Sequence, residues 1–360
     1  MDGTLRVTWM MLPGQRPWRE LHWLSLMPGA EVTAVGDPRP AEAVAFVRRP
    51  YRRLTRRFVE AGALAWLRDL DAVPSLRREG WLASLELCSL VTGQVSAIAR
   101  RRGQRQAVLV WGNDPDALLY RLPPYRQALN QARAADLFIC FIEAARDHCL
   151  ELGLPGERCV VVAPGVDTEL FHPAVEPVAE PVAIFASPLT GSKGIDRVLD
   201  AFRLVRRRLP EARLEVVGRG PLEGLVRREA ARPGSGVAFC GFHDRPGVAA
   251  ALRRAALFVT APRANLTWNE QFGIAYVEAM ASGLPVVTTI CGTNYEAVRL
   301  PNQRVPDEVE AIAEALLDFL ADPARRAEVG AANRRYALQH YELRRQCAQL
   351  GAAFRAASRE

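Results

Sequence analysis

Twice along this chain, short apolar runs rich in β-branched residues give way to longer amphipathic ones, and a proline-rich break separates the two series. Alternation of that kind marks parallel α/β sheets, whose buried strands are bridged by helices. In the first series the pattern predicts strands at Leu5–Leu12, Glu31–Val35, Ala107–Trp111, Leu137–Phe141 and Cys159–Val162. Helices are expected at Trp18–Met27, Tyr51–Leu67, Leu82–Arg101 and Glu143–Leu152. In the second series the strands are Val182–Ala186, Arg213–Val217, Val237–Phe239, Leu257–Thr260 and Pro285–Thr288. The matching helices are Gly194–Arg208, Pro221–Ala231, Val248–Arg254, Gly273–Ser282 and Glu308–Leu320, and Leu338–Arg355 reads as a terminal helix. In the break, Pro173, Pro177 and Pro181 fall within residues 173–181 and block both helix and central strand. A chain of 360 residues suits two domains. The expected division is 1–172, a linker at 173–181, a second domain at 182–340 and a terminal segment at 341–360. Two open sheets joined this way are expected to face each other across a cleft, with ligands beyond the carboxyl ends of the strands.

Composition narrows the class. No apolar run approaches the roughly 20 residues of a membrane span. Met1–Arg6 passes straight into a strand-like stretch, so no signal peptide is expected. Seven scattered cysteines without a CxxC pair suit reduced thiols in cytoplasm. No HExxH or GxSxG occurs, so neither zinc nor serine-hydrolase chemistry is expected. His148 and His243 read as surface or core residues rather than catalytic bases. The net charge of +7 admits anionic partners. Arg48, Arg49, Arg52, Arg53, Arg56 and Arg57 occur with no acid between Glu42 and Glu60, and the i, i+4 spacing puts most of them on one side of a helix. Two readings of that cluster stand side by side: a solvated face in an arginine-rich chain, which is preferred, and peripheral contact with an anionic membrane. Nucleic acid is not expected, because no basic-aromatic interleaving appears.

Three stretches of the second series carry candidate chemistry. Of the 47 lysines and arginines only one is lysine, Lys193, and it lies in Ser192-Lys193-Gly194-Ile195-Asp196 at the opening of a helix. A small-residue loop there offers backbone N–H groups and the positive dipole end, where a cation is disfavoured unless an anion is bound. Gly218-Arg219-Gly220-Pro221 follows a strand and permits close backbone approach, which by itself also fits a plain strand-to-helix turn. Glu270 and Glu278 bracket the start and middle of an apolar helix, roughly two turns apart. That distance is too great for a proton-sharing dyad but suits gripping two ends of one ligand. The alternatives are a helix-start acid for Glu270 and an internal partner, such as an arginine from a neighbouring helix, for Glu278.

With these motifs assembled, the chain resembles the retaining nucleotide-sugar glycosyltransferases of family 4, which have the two-domain GT-B fold. The matching residues are Val162–Asp167 with Phe171-His172-Pro173, Lys193-Gly194-Ile195-Asp196, Gly218–Pro221, Phe239-Cys240-Gly241-Phe242, and Glu270 to Glu278 continued to Val287. They cover about residues 140–345, while the first 130 match loosely, as expected where the acceptor binds.

The resemblance implies a role for each match. Lys193 would hold the donor diphosphate and Glu278 the ribose. Glu270 and the backbone of Gln271, Phe272 and Gly273 would contact the sugar and its phosphate. Gly218, Arg219 and Gly220 would line the donor site, and Cys240, Gly241 and Phe242 would hold the base through main-chain bonds. No metal or other cofactor is expected. The partners implied are a nucleotide-sugar donor and a glycan or lipid-linked acceptor, in cell-envelope or exopolysaccharide synthesis, at a cytoplasmic site or the inner membrane face. The segment 341–360 would cross back to the first domain.

Three departures from the family pattern stand out. Ser187 and Pro188 occupy the positions where it usually has an arginine. The first strand opens onto Met11–Pro17, which holds one glycine. Val110-Trp111-Gly112 replaces a common histidine site, so that Trp111 either stacks on a sugar or, as preferred, caps the core. The lost arginine motivates an alternative, a non-catalytic partner subunit that binds nucleotide or glycan.

Overall fold

The computed structural model describes residues 4–12, 18–37, 44–49, 51–53, 65–70, 80–112, 121–176, 178–265 and 268–358. It contains two units, one of residues 1–165 with 343–360 and one of residues 166–342.

The first unit is built on β1 (Leu5–Met10), α1 (Trp18–Ser25), β2 (Ala30–Gly36), β3 (Ala45–Arg48), β4 (Tyr51–Arg53), β5 (Ala65–Leu67), β6 (Trp81–Leu85), α2 (Leu90–Arg102), β7 (Arg105–Val110), α3 (Pro123–Ala132), β8 (Leu137–Cys140), α4 (Glu143–Glu151) and β9 (Cys159–Val161). Seven strands form a parallel sheet in the order β3-β2-β1-β6-β7-β8-β9. Its central strands are covered on both faces, so Ala107, Val108, Leu109 and Val110 of β7 are all fully buried.

The second unit continues with β10 (Val182–Ala186), α5 (Ile195–Arg208), β11 (Arg213–Val217), α6 (Glu223–Ala231), β12 (Val237–Gly241), α7 (Arg245–Leu252), β13 (Leu257–Val259), α8 (Ile274–Ala281), β14 (Val286–Thr289), β15 (Gln303–Val305), α9 (Val309–Leu320) and α10 (Pro323–His340). Six strands form a second parallel sheet, β12-β11-β10-β13-β14-β15. Phe185 and Leu214 from this sheet pack with Phe202 of α5 and Phe319 of α9 in one core. The last helix, α11 (Leu343–Ala357), belongs to the first unit, where Phe354 meets Trp81 edge-on at 5.2 Å and Ser358 accepts the Trp81 indole N–H.

Two expected helices are corrected. Tyr51–Arg53 and Ala65–Leu67 are strands, paired antiparallel, and Arg48 ends β3, where it pairs with Asp37 at 3.1 Å. Six arginines at i, i+4 without an acid would repel along a helix, whereas the Val and Tyr content favours strands. Arg56 and Arg57 lie outside the described residues. Trp81–Leu85 is likewise a strand, lodged between β1 and β7, and the helix begins only at Leu90. A continuous apolar run fits a buried strand as well as a buried helix. The start signal is Ser89, whose hydroxyl accepts the Thr92 N–H at 3.0 Å.

The units divide at Gly165/Val166, ahead of the proline-rich stretch. Val166 already donates to the Tyr341 carbonyl at 2.7 Å, and buried Phe171 and Thr168 are tied through their carbonyls to Arg334.

Candidate functional site

The second sheet runs outward from β10 to β11 and β12, then resumes on the other side of β10 with β13. The reversal leaves a switch point between β10 and β13, the place where open α/β sheets bind ligands. Both chain segments that leave these two strands carry candidate residues.

Beyond β10, residues Gly191–Lys193 form a single 3-10 turn, and Thr190 Oγ1 accepts the Lys193 N–H at 3.3 Å. The turn is stitched to the segment beyond β13: Ala261 N–H donates to the Lys193 carbonyl at 3.3 Å and Arg263 N–H to the Ser192 carbonyl at 3.0 Å. So close an approach requires glycine at 194, where φ is +70° and a Cβ would lie 1.7 Å from the Ala261 oxygen. The Arg263 side chain locks the arrangement. It donates to the Gly191 carbonyl at 3.0 and 3.2 Å and to both Asp196 oxygens at 2.7 and 2.9 Å.

On this platform the Lys193 ammonium donates to Glu270 Oε2 at 2.6 Å, with the Lys193 side chain 22% and the Glu270 side chain 8% exposed. The same nitrogen sits 4.6 Å from the Trp268 ring centroid. Glu270 is fixed through its carbonyl, which accepts the Thr293 N–H at 3.0 Å, while the Thr293 hydroxyl bonds the Gln271 carbonyl. Phe272 is buried edge-on against Tyr341, and Gly273 caps α8. Beneath them the Tyr276 hydroxyl bonds Thr260 and Thr288 at 3.1 and 2.9 Å, and burial pushes its phenol up. Further along α8, buried Glu278 faces Arg245 of α7 at 3.9 Å.

At the neighbouring strand ends, Gly218 N–H donates to the Gly241 carbonyl at 2.8 Å, and Arg219 stacks at 4.3 Å on Phe242, a ring 55% exposed. Gly220 packs against the Leu189 backbone. Burial beside Glu215 pushes the Cys240 thiol up.

The first unit has its own switch point, between β1 and β6. Glu86 follows β6 at a φ of +64°, and its carboxylate accepts the backbone N–H groups of Trp111 and Gly112 at 3.3 and 3.2 Å. The Trp111 indole donates to Glu20 Oε1 at 2.8 Å and packs 4.5 Å from Phe141. Burial, with the Glu20 charge adding to it, pushes the Glu86 carboxyl up to about 7, and burial raises Glu20 as well.

A family model described as group 1 glycosyl transferases matches residues 180–322. The GDP-mannose-dependent alpha-(1-6)-phosphatidylinositol monomannoside mannosyltransferase of Mycolicibacterium smegmatis is 31% identical over 272 residues, 70% of this chain and 71% of that protein. The chain belongs to the family 4 glycosyltransferases. A D-inositol 3-phosphate glycosyltransferase of Jonesia denitrificans is 32% identical over 222 residues, 55% of this chain and 51% of that one. Among solved structures, Anabaena HepE in complex with UDP superposes with a TM-score of 0.78 at 17% identity, covering 98% of this chain and all of that one. A sucrose-phosphate synthase from Thermosynechococcus elongatus gives 0.75 at 18%, covering 99% of each. The fold is therefore GT-B.

Within this glycosyltransferase the structure joins Lys193 to Glu270, and Gly218 and Arg219 to Gly241 and Phe242, while Glu278 contacts an arginine of its own unit. Arg219 stacks on Phe242 and Arg263 grips Asp196. Sequence reasoning passed over Trp268, Arg263, Glu20 and Glu86. Trp268 had one signal, its place two residues before Glu270. Trp111 caps the aromatic cluster and also holds Glu20. His148 is a core residue of α4.

Proposed function

We propose that this glycosyltransferase transfers a hexosyl group, with mannose from GDP-mannose the first donor to test, to a hydroxyl of a glycan or lipid-linked acceptor in cell-envelope or exopolysaccharide synthesis, with retention of anomeric configuration. The observation that carries the reading is the Lys193–Glu270 pair at the second unit's switch point. Relatives named as GDP-mannose-dependent phosphatidylinositol mannoside mannosyltransferases support the donor and the lipid acceptor.

In this reading the donor diphosphate takes Glu270's place on the Lys193 ammonium. As the bond between the sugar C1 and the diphosphate oxygen breaks, Lys193 stabilises the departing charge, a large effect where water is excluded. The acceptor oxygen bonds C1 on the same face and its proton passes to the leaving phosphate oxygen. Glu270 turns to the sugar hydroxyls, the backbone of Gln271, Phe272 and Gly273 faces the phosphate at the start of α8, and Glu278 accepts from the ribose. The β11 and β12 ends, at Gly218–Gly220 and Cys240–Phe242, take the base. Lys193 and the helix start balance the diphosphate in place of a metal ion. The reaction runs in the cytoplasm or at the inner membrane face.

Ser187 and Pro188, standing where the family usually has an arginine, favour one other reading, a nucleotide-binding subunit without turnover. The purified protein is incubated with GDP-mannose, UDP-glucose and ADP-glucose together with a phosphatidylinositol mannoside acceptor, and the product is read by mass spectrometry and anomeric NMR. An α-linked product from an α-linked donor supports the proposal. Nucleotide binding without any transfer supports the second reading, and an inverted linkage ends the retaining assignment.

A further inference from the structure

The Lys193 ammonium has two neighbours of different kinds, a carboxylate at 2.6 Å and an indole face at 4.6 Å. Only the first competes with an anion. An ammonium carries three N–H donors and attracts both a carboxylate and a phosphate by charge. A donor diphosphate must therefore displace or repel Glu270 in order to engage Lys193. An aromatic face behaves differently, since it attracts the cation through its quadrupole, carries no net charge to repel the diphosphate, and is strongest when the pair is shielded from water. Lys193 is 22% exposed and Glu270 8%, so the group sits in such a setting. Meanwhile the backbone around Lys193 is held by Ala261, Arg263 and the Thr190 cap, which leaves the four-carbon side chain as the movable part.

We propose that Trp268 is a positioning residue for the donor site: its indole face keeps the Lys193 ammonium aimed at the diphosphate while Glu270 leaves. This rests on the reading of Lys193 as the diphosphate contact, and it adds a residue that acts only through Lys193.

The chain's single lysine makes the test site-specific, because lysine labelled with carbon-13 reports Lys193 alone. In the wild type the Lys193 Cε proton signals lie upfield under the Trp268 ring current. They move to ordinary positions in Trp268→Ala and keep part of the shift in Trp268→Phe. Binding is measured by calorimetry with GDP, UDP and ADP, and with guanosine, uridine and adenosine. For whichever diphosphate the wild type prefers, Trp268→Ala weakens binding by about 2- to 30-fold. Trp268→Phe, which folds without a cavity of comparable size, weakens it less, and the bare nucleoside binds all three proteins alike. In a Lys193→Ala background the Trp268→Ala penalty disappears, as a double-mutant cycle requires of a residue acting through Lys193. A Lys193 signal that ignores Trp268, equal weakening of nucleoside and diphosphate, or a penalty that survives without Lys193 overturns the proposal. Failure of the underlying site reading looks different: the wild type then binds no diphosphate, although its Lys193 signal still moves on Trp268→Ala.

Discussion

Both sheets run outward from their first strand and then resume on that strand's far side, leaving a crevice at β1/β6 in one unit and at β10/β13 in the other. The residues at the two crevices differ in kind. At β10/β13 the Lys193 ammonium is closed in by one carboxylate and one indole. At β1/β6 two carboxylates, Glu20 and Glu86, meet around one tryptophan, and both have raised pKa values. The first arrangement is primed for an anion that replaces a carboxylate. The second holds two acids whose carboxyls are pushed up by burial, with Glu86 raised to about 7. Shared topology fixes where a site can lie, while the side chains at strand ends decide its chemistry.

The sharpest way to break the contrast is to remove the cation. Lys193→Ala is expected to lower kcat/KM for transfer by about 100- to 1,000-fold, in line with the loss of one preorganised charge contact. It also leaves the Glu270 carboxylate buried without its ion-pair partner, so thermal stability falls too. Lys193→Ala combined with Glu270→Gln separates the two effects: stability returns and activity does not. Recovery of activity in the double variant would mean that the ion pair, rather than the cation, was the functional unit.

Next comes the platform under the cation. Gly194→Ala puts a methyl group 1.7 Å from the Ala261 carbonyl at a φ of +70°, so the Lys193 turn must move away from the segment beyond β13. A loss of about 2–4 kcal/mol in chemical denaturation is expected, together with weakened nucleotide binding. Arg263→Lys is milder, since it keeps the charge and loses the fork that spans Asp196 and the Gly191 carbonyl. Diphosphate affinity is expected to fall about tenfold with little change in melting temperature, on the ~1.4 kcal/mol scale of one charge-assisted hydrogen bond. An unchanged affinity would show that the backbone stitching alone holds the turn.

How far the sequence revealed this differs between the two units. In the second unit Val182–Ala186 and Arg213–Val217 were legible to the residue, because each apolar run ends at a glycine or proline cluster. The first unit misled where tertiary pairing outweighs local pattern, at Trp81–Leu85 and at the arginine cluster. Lys193 and Glu270 were each legible as anion-site and helix-start residues, but 77 positions separate them and only the strand order β10-β13 brings them together. Arg263 carries no local signature and Trp268 only its place two residues before Glu270, since each acts by what it touches. Glu20 reads as an ordinary acid in the first turn of a helix, and nothing local shows that Glu86 adopts a positive φ.

The smallest expected effect tests the other side of the contrast, the carboxyl pair with raised pKa values. In the folded protein Glu86 gives up its proton near pH 7, against 4.5 for an ordinary glutamate. Between those values the folded state binds more protons than the unfolded chain, so this group's contribution to stability declines as pH rises from 4.5 through 7. Glu86→Gln stays neutral throughout. It loses one acceptor for the Trp111 and Gly112 N–H groups, a cost that is the same at every pH. The wild type bears an additional charge cost only at the upper end, where Glu20 lies close enough to add to it. Relative to wild type, Glu86→Gln should therefore gain about 1–2 kcal/mol between pH 5 and pH 8, a figure scaled down from 1.36 kcal/mol per pKa unit because Glu86 keeps some contact with water. Denaturant melts at the two pH values measure it. A difference that does not change with pH would make Glu86 an ordinary ionised carboxylate and remove the raised pKa from the contrast between the two crevices.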